Sequence, residues 1–150
     1  MPTPEYIKKL YSKLIYGGTT FKRGELIYLG KNDAFNHIGD LYIKIVDPVQ
    51  DEYVLIAAED NKLIYEKSYK GGKLNGRFAQ YKNGLLTREG LYIDDLKDGK
   101  WVEYNSSGNI DKTIEWHCGV KHGKVCHYKN DTVIVHTEIW KNGYQSVDDK

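Results

Sequence analysis

The chain has 150 residues, long enough for one domain with a sizeable core, and its 22 basic against 21 acidic residues give a formal net charge of +1. That balance sets up no global field toward nucleic acid or an anionic bilayer, and Lys outnumbers Arg 19 to 3, which leaves few of the forked cations that read phosphates and bases. No apolar run approaches the roughly 20 residues of a membrane span, no signal-peptide core follows Met1, and Cys118 and Cys126 are too few for a disulfide framework, so a cytoplasmic protein is expected.

Thirteen Tyr and fifteen Gly with three Pro point to short strands and tight turns. The start differs. Thr3 caps a helix that Pro4 and Glu5 suit in its first turn, and Ile7, Leu10, Tyr11, Leu14 and Ile15 recur on one face. This predicts an amphipathic helix over 4–16, ended by Gly17-Gly18, within an N-terminal segment 1–18. Residues 19–61 form a β-rich lead-in with apolar runs at 25–29, 41–46 and 53–57, readable as degenerate copies of a unit repeated farther along the chain. Residues 32–40 are the longest irregular piece, expected as a surface loop.

Residues 62–147 carry that internal repeat. An aromatic is followed by Gly seven residues later and Tyr five after that: Tyr69…Gly76…Tyr81, Tyr92…Gly99…Tyr104 and Trp116…Gly123…Tyr128. The anchors shift together by 23 residues and then by 24, the added residue lying between Tyr104 and Trp116 in the longer turn Asn105-Ser106-Ser107-Gly108. Such a period marks an array whose units bury apolar surface against their neighbours. Strands are predicted at 62–70, 77–82, 85–93, 100–105, 109–118, 124–129 and 132–140, joined by turns at 71–76, 83–84, 94–99, 106–108, 119–123, 130–131 and 141–143. Asn83-Gly84 between apolar runs is a strong hairpin signal. The predicted fold is mainly β, an antiparallel β-hairpin meander with one N-terminal α-helix.

After each repeat Gly the columns read Arg77/Lys100/Lys124, Phe78/Trp101/Val125, Ala79/Val102/Cys126, Gln80/Glu103/His127 and Tyr81/Tyr104/Tyr128. Alternation puts the basic, small and Tyr columns on one face and the other two opposite, each face half apolar. Gly76, Gly99, Gly123 and Gly143 are read as one column of turn glycines needing positive φ.

The runs Gly90-Leu-Tyr92…Lys97-Asp98-Gly99-Lys100-Trp101…Tyr104…Gly108 and Glu115-Trp116…Lys121-His122-Gly123-Lys124 resemble the MORN repeat, in particular its bacterial variant. The resemblance covers about residues 62–145 as three units and a truncated fourth. Val125 replaces a second Gly found in many such units, and Asp131 the closing one. The likeness implies an elongated hairpin meander acting as a binding or scaffolding surface, with some relatives described as antitoxin or immunity components and others as membrane-associated.

Catalytic chemistry is not expected. His117-Cys118…His122…Cys126-His127 is a dense group of potential metal ligands, but neighbours on a strand point to opposite faces, so no metal site is expected, and no cofactor. No Ser lies in a nucleophile elbow, and Asp94-Asp95 and Asp98 suit a solvated hairpin loop. The expected function is a non-catalytic protein-binding module with Tyr69, Tyr81, Tyr92, Tyr104, Trp116, Tyr128, Trp101 and Trp140 as candidate partner-binding residues, the last two for direct contact. The partner is a protein or a second copy of the chain. Two further readings are an antitoxin or immunity protein, and a membrane- or phosphoinositide-associated scaffold using Lys70, Lys73, Arg77, Lys97, Lys100, Lys121 and Lys124.

Overall fold

The structure is a computed structural model that describes residues 24–31 and 39–146. The helix predicted at 4–16 and most of the loop predicted at 32–40 lie outside these residues. The rest forms one eleven-stranded antiparallel sheet in which every strand pairs with its neighbours in sequence. The strands are β1 (Leu26–Lys31), β2 (Asp40–Asp47), β3 (Glu52–Glu59), β4 (Lys62–Lys70), β5 (Lys73–Lys82), β6 (Leu85–Ile93), β7 (Leu96–Tyr104), β8 (Ile110–His117), β9 (Val120–Tyr128), β10 (Ile134–Lys141) and β11 (Tyr144–Gln145). The expected hairpin meander is therefore present, and the lead-in strands β1 to β3 continue the same sheet.

Tight turns make this order possible. Asp60-Asn61, Gly71-Gly72, Asn83-Gly84, Asp94-Asp95, Cys118-Gly119 and Asn142-Gly143 each hold both residues at positive φ, the two-residue turn whose twist matches that of the flanking strands. The turns predicted at 71–76, 94–99 and 119–123 are thus shorter than expected. The strands run on through Gly76, Gly99 and Gly123, which sit at φ 105°, 74° and 116° inside bulges. At each bulge three residues oppose one: 75–77 face Ser68, 99–101 face Gly90, and 122–124 face Glu115. Gly143 does not share this column. It is a turn residue equivalent to Gly72 and Gly119, three positions past its unit's aromatic.

Successive turns on this side of the sheet are stitched together. Asp95, Gly119 and Gly143 donate their backbone N–H to the carbonyls of Leu74, Lys97 and Lys121, each at 2.9 Å. The residue before each repeat Gly bonds the next turn as well: Asn75 Nδ2 donates to Asp94, Asp98 accepts from Cys118 N–H, and His122 Nδ1 accepts from Asn142 N–H. This ladder ties each unit's turn to the next.

Burial alternates along β2, β3 and β4 with period two. Leu41, Ile43, Ile45, Tyr53, Leu55, Ala57, Tyr65 and Tyr69 form the main core, flanked by Ile27, Leu29, Ile64 and Leu74. From it one row of opposed residues crosses the sheet: Ile43, Leu55, Lys67, Phe78 and Gly90, then Trp101, Ile114, Val125 and Glu138. Phe78, Trp101 and Val125 are each at most 2% exposed, so this column is core over the whole repeat.

Candidate interaction surface

The eight aromatic candidates do not share one surface. Tyr69 is buried and its ring stacks on Tyr53 with centroids 5.2 Å apart. Trp101, expected to touch a partner, is 1% exposed and donates its indole N–H to the Leu91 carbonyl at 3.0 Å. Its ring packs against Phe78 and, edge-on, against Tyr92. Tyr69 and Trp101 are core residues. The reason for Trp101 is Gly90, whose missing side chain leaves room for the indole. That glycine was visible in the sequence as the residue two before Tyr92, but its partner across the sheet was not.

Tyr81 and Tyr104 are half-buried and their hydroxyls are committed. Tyr81 donates to Glu66 at 2.8 Å and Tyr104 to Glu89 at 2.6 Å, a separation of 15 residues both times. Arg77 lies between the two carboxylates, 3.8 Å from Glu66 and 3.5 Å from Glu89. The repeated Glu, three positions before the unit's aromatic, was missed in the sequence because the third unit carries Thr113 there. Burial, aided by the Glu89 bond, pushes the Tyr104 phenol up to about 12.

Trp116 and Trp140 remain half-buried under lysines. Lys97 Nζ stands 4.7 Å from the Trp101 and Trp116 ring centres, and Lys121 Nζ stands 4.4 Å from that of Trp140. Burial lowers the Lys97 pKa. Trp140 also donates to Glu138, whose carboxyl is held below its ordinary range by the 2.7 Å bond with His127 first and by the indole second. Tyr92 and Tyr128 are half-buried.

A further group of exposed apolar side chains lies elsewhere. Val133, Ile134, Val135 and Ile139, in and beside β10, are 47–59% exposed, and Tyr144 is 80% exposed. Among the described residues, the outer edge of β10 is paired only at Trp140 and Lys141, by β11, with one more bond from Ser146 N–H to the Ile139 carbonyl. Leu96 and Val120, at the starts of β7 and β9, extend a partly exposed apolar stripe toward Tyr144. The sequence did not single out β10 as a contact edge because its alternation looked like that of any other strand.

No family model matches this sequence, and no curated protein or solved structure matches it either. Among the described residues no helix is long and apolar enough to cross a membrane.

Proposed function

We propose that this chain is a non-catalytic protein-binding module of the MORN-repeat type that takes up an extended strand along β10. The observation that supports it is the outer edge of β10, where β-branched apolar side chains stand half-exposed beside backbone groups that face outward. An edge of this kind is a template for strand addition, in which main-chain hydrogen bonds supply affinity and alternate side chains supply selectivity. Most sheets protect such an edge with charge or proline. Here the stretch Ile134-Val-His-Thr-Glu-Ile-Trp140 has no Lys, Arg or Pro.

A second copy of the chain fits the same edge. Antiparallel self-pairing centred on Thr137 sets His136 opposite Glu138 and Val135 opposite Ile139, with the Ile139 carbonyl exchanging its bond from Ser146 for one from the second copy. Neutralisation of a cognate toxin is one case of the same binding mode. Less supports a lipid-bound scaffold, since Lys97 and Lys121 are engaged with indole rings.

Size analysis by light scattering and pull-down from native lysate test the proposal together. Wild type should form a dimer or capture a protein, and V135K and I139K, which place charge on the exposed edge, should abolish either. A strict monomer that captures nothing, or capture unaffected by both substitutions, would overturn it.

A further inference from the structure

We propose that Asp98, His117 and Cys118 form a binding site for a divalent transition-metal ion of the zinc type. The objection from the sequence was that His117 and Cys118, as strand neighbours, point to opposite faces. That rule stops at the end of β8. Cys118 is the first residue of a two-residue turn, at φ 49°, and its thiol sits 3.7 Å from His117 Nε2. On the other side of the ring, His117 Nδ1 is 3.5 Å from Asp98 Oδ1, an oxygen that also accepts the Cys118 N–H at 3.2 Å. With one donor atom taken from each residue, the three lie within 4.8 Å of one another.

Bond lengths of about 2.0–2.3 Å around a tetrahedral ion put its ligand atoms roughly 3.3–3.7 Å apart, so the cluster is close to the size required. The two short separations use opposite ring nitrogens, and binding needs a rotation of the imidazole. Its side chain is 67% exposed and open to that movement. The donor set of sulfur, nitrogen and oxygen suits a borderline-soft ion, whereas calcium and magnesium prefer oxygen alone. Other repeat turns lack the set: the residues aligned with His117-Cys118 are Lys70-Gly71, Ile93-Asp94 and Lys141-Asn142.

His122 is near, with its ring centre 5.9 Å from that of His117, but it is outside the donor set. Its Nδ1 accepts the Asn142 N–H, so in the neutral ring the proton is on Nε2 and neither nitrogen offers a free lone pair. Three protein ligands would leave a fourth position for water, and two of the three, Asp98 and His117, line an open hollow with Glu115, Trp116 and His122. Cys118 is exposed whereas Cys126 is buried, so the two thiols are distinguishable.

The test is titration of the reduced full-length chain with Co²⁺, following thiolate-to-cobalt charge transfer in the near ultraviolet and the visible bands of tetrahedral cobalt, with Zn²⁺ added to displace it. One equivalent should bind. The charge-transfer band should vanish in C118S and after alkylation of Cys118 in the folded wild type, and persist in C126S. H117A should weaken binding by more than about 100-fold, beyond the 10- to 100-fold typical of losing an outer partner. Absence of the band in wild type at large excess of cobalt, or its survival in C118S or the alkylated protein, would overturn the proposal.

Discussion

The indole of Trp101 lies over the backbone of Gly90 so closely that a Cβ atom at Gly90 would fall 2.1 Å from Cδ2 of the ring. Two strands, β6 and β7, are thereby keyed to each other. G90A should destabilise the sheet by about 1–3 kcal/mol or more, because neither the buried ring nor the backbone can yield cheaply. Gly90 is not at positive φ, so the loss is steric. In a W101L background the same substitution should cost less, a coupling measured by urea denaturation of the two single variants and the double. Additive losses would contradict the keying.

Gly99 and Gly123 occupy the same bulge position in consecutive units but differ in surroundings. A Cβ at Gly99 meets nothing within 4 Å, whereas at Gly123 it would lie 3.0 Å from the Cβ of Glu115. G99A should cost about 1 kcal/mol from positive φ alone, and G123A should cost more. Equal urea midpoints for the two variants would show that backbone conformation alone sets the requirement.

Tyr104 is held neutral in the folded state. Its pKa rises to about 12 from 10.0, and that of Tyr65 also to about 12, through burial first. In this window the folded state keeps protons that the unfolded state has released, so the contribution of these two tyrosines to stability is complete below about pH 10 and is lost as pH rises toward 12. Y104F should lower stability by about 1 kcal/mol at pH 7, having lost a partly exposed bond to a carboxylate, and should flatten this alkaline decline. Urea midpoints across the range check both.

Lys67 works in the opposite direction. It is 4% exposed in the transverse core row, with Nζ 4.5 Å from the Tyr65 ring centre, and burial, then Arg88, lowers its pKa from 10.5 to about 8. Between these values the unfolded state binds the extra proton, so stability rises with pH from about 8 to about 10.5. K67M should be more stable than wild type at pH 7, by about 1–3 kcal/mol, and should lack the rise. A less stable K67M would mean that the ammonium is a net contributor to the core.

The meander itself was legible in the chain. Asn83-Gly84 specified a hairpin through local backbone preference, and the 23- and 24-residue shifts of Tyr69, Tyr92 and Trp116 specified that hairpins succeed one another. The first is a short-range property, carried by residues a few positions apart, and the second is a periodicity readable along the chain without knowing which strands pair. What the tertiary structure decided was which side chains meet across strands. The repeat glycines open bulges two residues deep, each resetting the register, and so Trp101 arrives over Gly90 and becomes core although it was expected to touch a partner directly. The same limit applied at Cys118, where strand alternation was extended one residue past the strand's end. Cross-strand partners depend on accumulated register, and register is a property of the paired sheet that no single strand's sequence contains.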